Sequence, residues 1–180
     1  MLTAQGGAYP GTTTGFYGYG WDGYGYVQNG AGDWFPNRLV AQITQLGYPA
    51  DISGGVHQIR TDSVSFYYTA SGAGTTNGQL LKQQTDGSAQ SGGSSGGPWL
   101  INFGTAPTYG GPTSPGTANG QVVVGTTSWG LTDPNAKRQG ASWFGMNVEF
   151  PAANYGGRGG GNIGALVNFI CSNVNYAAAC

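Results

Sequence analysis

Charge is scarce in this chain. Only 7% of its 180 residues are Asp, Glu, Lys or Arg, against roughly 25% in an average soluble domain. Its 6 Lys and Arg against 7 Asp and Glu give a formal charge of −1. No basic run occurs, and clustered cations are what phosphate binding requires, so no nucleic-acid partner is expected. No apolar run approaches the roughly 18 residues needed to cross a bilayer, so no membrane partner is expected either. The opening MLTAQGGAYPG has neither the basic stretch nor the apolar core of a signal peptide. Histidine occurs once, at His57, and cysteine twice, at Cys171 and Cys180. No metal site and no cofactor is read from these residues.

Glycine and the aromatics are abundant: 36 Gly, 13% Phe, Trp and Tyr, and 38% hydrophobic residues in all. Low charge with many aromatics argues against a solvated, disordered chain. Few lysines and many small polar residues suit an extracellular protein, and the chain is expected to be a secreted protein without its front end. A Cys171–Cys180 bridge would close a short ring over the last residues, worth roughly 2–3 kcal/mol in the chain-entropy model. Two free thiols, or a pairing with a cysteine outside this sequence, are the alternatives.

Residues 1–37 are dominated by GFYGYGWDGYGYVQNGAGDWF, an irregular segment whose aromatics would cover a barrel wall or stack on sugars. From Arg38 the pattern becomes strand-like. RLVAQITQLG runs to the Gly47-Tyr48-Pro49 turn, and two runs follow at Val56–Thr61 and Ser63–Thr69. QLLKQQTD, PWLINFG, GQVVVGTTSWG and ASWFGMNVEF complete the set, bounded by Gly and Pro. Near the end Ile163, Leu166, Val167 and Ile170 keep helical spacing, with Asn162 as N-cap. The order of six or seven strands and then one helix predicts an all-β, small antiparallel barrel or sandwich with a C-terminal helix.

One stretch promises chemistry. In QSGGSSGGPWLINFG, Gln90 to Gly104, two serines stand among glycines ahead of a Pro-Trp and an apolar run. Gly93-Ser94-Ser95-Gly96-Gly97 fits G-x-S-x-G, but a strand follows it rather than a helix, and no His follows Ser95, so the α/β-hydrolase elbow is excluded. A serine hydroxyl attacks a carbonyl only when a base takes its proton, and the oxyanion that forms needs donors. Glycines let the main chain bend so that two N–H groups converge on such an oxygen.

GSSGGP at Gly93–Pro98, followed about thirty residues later by Thr127-Ser128-Trp129-Gly130 and then GASWFG, resembles the trypsin-like (chymotrypsin-fold) serine peptidases. ITQLGYPAD with the Gly-Gly after it is similar to the bacterial and fungal glutamyl-endopeptidase-like branch. The resemblance covers residues from about Gln42 onward. It implies a C-terminal barrel, one half of a two-barrel fold, over residues 38–180, with 1–37 as the inter-barrel segment. It implies a serine endopeptidase acting on protein or peptide substrates, with Ser95 as nucleophile and the amides of Gly93 and Ser95 as the oxyanion hole. It walls the specificity pocket with Ala89, Gln90 and the residues to Gly92, with Ser128, Trp129 and Gly130, and with Gly140. Ala89 stands where trypsin-like enzymes carry a pocket-floor Asp, and Ser128 where the glutamyl branch carries a His. A neutral or small apolar substrate side chain is therefore expected. Ser94 replaces the family's usual Asp or Asn before the nucleophile, which argues against activation through a newly cut N-terminus.

The base is missing from the expected place. His57 lies 38 residues before Ser95, in GGVHQIR, just after the Gly-Tyr-Pro turn and not in a family-like His context. It is expected to be a surface or half-buried residue. Asp22 and Asp33 fall nearest to the family's Asp but not in an apolar strand. A rebuilt triad of Asp51 or Asp62 with His57 and Ser95 is the alternative, and Asp86 also flanks the motif. The catalytic His and Asp are thus expected on an N-terminal barrel outside this sequence. A second function class stays open: a non-catalytic secreted binding or structural protein on the same scaffold.

Overall fold

The computed structural model describes residues 16–20, 24–28, 39–70, 80–107, 120–131, 133, 135, 137–144, 169 and 172. Among the described residues eight strands follow one another as β1 (Gly18–Tyr19), β2 (Val27–Gln28), β3 (Leu39–Gly47), β4 (Ile59–Ala70), β5 (Leu80–Asp86), β6 (Pro98–Ile101), β7 (Val122–Gly130) and β8 (Arg138–Trp143). A short 3-10 turn, Ser53–Gly55, sits between β3 and β4.

Strands β3 to β8 close into a six-stranded antiparallel barrel. Around its circuit the order is β3, β4, β5, β8, β7, β6 and back to β3. After the β3–β4–β5 meander the chain crosses to the far side of β3 as β6, and β8 then seals the gap between β7 and β5. Closure removes the unpaired strand edges that invite aggregation. Pro98 begins β6, a position where the missing N–H costs no ladder bond.

The core forms from inward-facing residues of four barrel strands: Ala41, Ile43, Trp99, Ile101, Val122, Val124 and Ala141. Trp99 is fully buried, and its indole N–H donates to Thr127 Oγ1 at 3.0 Å. That bond resolves the polar end of an otherwise apolar side chain in the interior. Two short strands of the Gly/Tyr-rich segment join the barrel. β1 runs parallel to β7 and β2 antiparallel to β3. Tyr26 belongs to the core cluster and shares a 2.7 Å hydrogen bond with Ser65, while Tyr24 packs against it. Burial pushes the Tyr24 phenol above its usual pKa. These two aromatics cover the barrel, one of the two roles the sequence left open for this segment.

The structure corrects two strand boundaries. The two runs expected around Asp62 are one continuous strand, β4, paired with β3 along nine residues from Gly47↔Ile59 to Leu39↔Tyr67. Asp62 does not break it because Thr44, directly opposite, donates its hydroxyl to the Asp62 carboxylate, and Arg60 Nε lies 2.8 Å from the other oxygen. The Thr44 hydrogen bond first, and Arg60 second, hold that carboxyl below the usual carboxylate range. The strand expected from Ala141 begins three residues earlier, at Arg138. The helix expected over residues 162–174, with Asn162 as its cap, lies outside the described residues apart from Phe169 and Ser172. The all-β antiparallel barrel of the fold expectation is met. Cys171 and Cys180 also lie outside the described residues.

Truncating Trp99 tests which contact the barrel leans on. Trp99→Ala opens a cavity at the centre and leaves Thr127 Oγ1 without that donor. Urea unfolding should show a loss of about 3–5 kcal/mol. A loss under about 1 kcal/mol would show that the core lies elsewhere.

Candidate functional site

The turn from Ser91 to Gly97 joins the end of β5 to β6, and it is laced to the barrel on both sides. Ala50 N–H, just past the end of β3, donates to the Gly92 carbonyl at 2.7 Å. Toward β7, Gly96 N–H donates to the Thr127 carbonyl and Thr127 N–H to the Gly97 carbonyl, each at 2.8 Å. Gly93 makes the bend possible. Its φ is +95°, in the range that L side chains rarely adopt, and an added Cβ would stand 2.6 Å from the Tyr48 carbonyl oxygen.

Ser94 is hydrogen-bonded at every polar group it has, twice within the turn and once, through its hydroxyl, inward. Its N–H donates to the Ser91 carbonyl at 3.0 Å, its carbonyl accepts from Gly97 N–H at 3.0 Å, and its buried hydroxyl donates to Gln90 Oε1 at 2.7 Å. The residues on either side are different. The amides of Gly93 and Ser95 meet no acceptor among the described residues, and both residues are exposed. Unpaired N–H groups are what an anion accepts hydrogen bonds from.

Ser95 opens onto a cleft of about 530 Å³. One wall is Asp51, Gln90, Ser91 and Gly92, and the opposite wall is Ser128, Trp129 and Gly130. The loop and strand that follow add Leu131, Asp133, Lys137, Arg138 and Gln139. The Ser128 wall is shaped by a β-bulge. Thr127 pairs with Ala141 and Trp129 with Gly140, which leaves Ser128 as the extra residue. Bulges bend a strand and re-aim its side chains. Gly140 supports this wall from behind: a Cβ there would fall 1.9 Å from the Trp129 indole.

The structure thus brings together Ser95, Gln90, Ser128, Trp129 and Gly130 at one cleft. Gly93 and Gly140 shape it without lining it, and Ala89 is exposed but is not among the lining residues. The side chain of Gln90 is spent on Ser94 and on the Ile59 carbonyl, so it braces the wall rather than presenting a free group.

The carboxylates and the histidine fall apart. His57 is exposed, between the 3-10 turn and β4, and is not among the cleft residues. Asp51 does reach the cleft, where it accepts the Ser91 hydroxyl. Asp62 is held by Thr44 and Arg60, and Asp86 by Arg138 Nε at 2.5 Å. Asp22 and Asp33 lie outside the described residues. Of the two triads considered from Asp51 or Asp62, neither has its imidazole among the residues lining the cleft.

The cleft also takes in Thr127, quoted in the motif but not expected as a wall, and the unexpected Gln139 and charged residues of the β7–β8 connection. The run LTDPNAKRQ between two strands marked a long hairpin loop beside the Ser-Trp-Gly strand, and that was the available signal. Gln139 is buried and its Nε2 donates to the Gln90 carbonyl at 2.8 Å, joining the two walls.

No protein-family model, no curated protein and no solved structure matches the chain.

The Gly140 contact can be tested directly. Gly140→Ala forces the Trp129 indole out of its seat, and overpacking of this kind costs about 1–3 kcal/mol. The Trp129 indole N–H resonance should move, and the urea midpoint should fall. An unmoved resonance with unchanged stability would show that Trp129 does not pack on Gly140.

Proposed function

We propose that this chain carries the nucleophile and substrate-binding barrel of a secreted trypsin-like serine endopeptidase. The observation that carries the reading is the pairing of an exposed Ser95 hydroxyl with two amides, of Gly93 and Ser95, that lack acceptors beside an open cleft. The closed antiparallel barrel and the low-charge, Gly-rich composition agree with it.

In this reading Ser95 Oγ attacks the carbonyl carbon of a peptide bond while a base takes the hydroxyl proton. The carbonyl π pair moves onto oxygen, and the resulting oxyanion accepts from the two amides. Loss of one such donor costs about 10²–10³ in rate. Collapse of the intermediate breaks the C–N bond, and the proton held by the base passes to the departing amine. Water then attacks the acyl-Ser95 ester by the same route and restores the hydroxyl. The substrate strand pairs with the main chain of the Ser128–Gly130 wall, and the cleft takes a neutral side chain. The base is assigned to a group outside this sequence, as the resemblance implies for a histidine on a partner barrel.

Imidazole can stand in for that base, so the test uses this chain with a fluorophosphonate and added imidazole. Intact mass and peptide mapping should show one adduct, on Ser95, whose rate of formation rises with imidazole. It should be lost in Ser95→Ala and kept in Ser91→Ala. Labelling that ignores Ser95→Ala, or no adduct on Ser95 at high imidazole, contradicts the assignment. Casein hydrolysis by this chain alone should stay at background, and turnover that vanishes in His57→Ala would overturn the placement of the base. The exposed position of His57, outside the cleft, favours one other reading, a non-catalytic binding protein on this scaffold. It predicts an unlabelled Ser95.

A further inference from the structure

Gln90 is the point where the turn meets the barrel. The residue is 4% exposed. Its side chain accepts the Ser94 hydroxyl at 2.7 Å through Oε1 and donates to the Ile59 carbonyl on β4 at 2.9 Å through Nε2. Nε2 also lies 3.5 Å from Thr61 Oγ1. The main chain is held too. Its N–H donates to Ser88 Oγ at 3.1 Å, and its carbonyl accepts Gln139 Nε2 from β8 at 2.8 Å. Ser88 in turn donates to Gln45 Oε1 on β3 at 2.6 Å. One uncharged residue therefore ties three strands to Ser94, the residue between the two unpaired amides. No charged group bonds to its side chain among the described residues. The charged side chains sharing its cleft are Asp51, Asp133, Lys137 and Arg138.

We propose that Gln90 is the positioning residue of the Gly93–Ser95 turn. Its buried carboxamide fixes Ser94 inward and so keeps the amides of Gly93 and Ser95 free for an anion. A glycine-rich turn has other low-energy conformations, and the anchor at Ser94 selects one. Because the anchor is neutral, the turn is set whenever the barrel is folded, and no charged partner is needed to assemble it. The inference deepens the nucleophile reading and rests on it for the labelling readout, while the amide signals report on the turn independently.

Three measurements on the intact chain test it: the imidazole-assisted fluorophosphonate rate at Ser95, the amide resonances of Gly93 and Ser95, and urea unfolding. Gln90→Leu removes the anchor and should slow labelling by about 10–100-fold, the scale of a misplacement near 1 Å. The two amide signals should move while the Trp99 indole signal of the folded barrel persists. Gln90→Glu supplies the discriminating control. Protonated, the new carboxyl is an uncharged donor and acceptor of nearly the same shape. Ionised, it sets an oxygen against the Ile59 carbonyl, and burial raises the pH at which that happens. The labelling rate of Gln90→Glu divided by that of the native chain at the same pH cancels the titration of imidazole. That ratio should lie near one at low pH and fall by about tenfold or more as pH rises.

A flat ratio, or Gln90→Leu labelling within about twofold of native (under 0.5 kcal/mol), overturns the proposal. Should Gln90→Leu fail to fold, the Gln90→Glu ratio decides alone. Should the native chain give no Ser95 adduct, the nucleophile reading fails and the amide signals decide the rest. Gly93 and Ser95 resonances that move with pH in Gln90→Glu but not in the native chain uphold the positioning role. Resonances unmoved in both overturn it.

Discussion

The inward anchoring of Ser94 is the constraint on which the site depends. Its hydroxyl, its N–H and its carbonyl are all bonded within the protein, so the main chain on either side must turn its own amides elsewhere. The barrel makes this possible. β3 ends at Gly47, where an added Cβ would meet Gln90 Oε1 at 2.4 Å and Ser94 Cβ at 2.7 Å. Only a glycine there lets the turn press this close. At the other side of the turn, Gly96 and Gly97 exchange backbone bonds with Thr127, whose hydroxyl caps the indole of Trp99. The core and the cleft thus share residues, and a change in one is felt in the other.

The interior below the turn holds many buried polar side chains. Gln45, Ser88, Gln90, Ser94 and Gln139 are all buried. Their hydrogen bonds form one connected chain, with Gln45 Nε2 as the one buried side-chain atom without a partner among the described residues. A buried polar group is costly when unpaired and rigidifying when paired. A network of amides and hydroxyls holds the turn without the desolvation cost that buried charges carry. This fits a chain in which charge is scarce throughout.

Much of the barrel was legible because inward-facing apolar residues and Gly/Pro stops mark strands in a closed sheet. Val122, Val124 and Trp99 announced β7 and β6 in that way. The continuity of β4 was not legible, since Asp62 reads as a break until Thr44 is seen opposite it. That Ser95 and Ser128–Gly130 share one cleft was legible only through the resemblance carried by the Gly93–Pro98 and Ser-Trp-Gly motifs. The role of Gln90 was not, because a glutamine before a Gly/Ser run carries no sign of whether its carboxamide faces solvent or the interior. The bulge at Ser128 was equally hidden, because register shifts depend on the partner strand. Lys137 and Asp133 reached the cleft only through the geometry of the β7–β8 hairpin.

In the proposed reading, the amides of residues 93 and 95 together receive the charge that develops when Ser95 reacts. A crystal structure of the Ser95 phosphonate adduct measures this most directly. One phosphonyl oxygen should lie within about 2.7–3.1 Å of both amide nitrogens, the reach of an oxyanion donor pair. A phosphonyl group turned to solvent, with those amides bonded elsewhere, would contradict it.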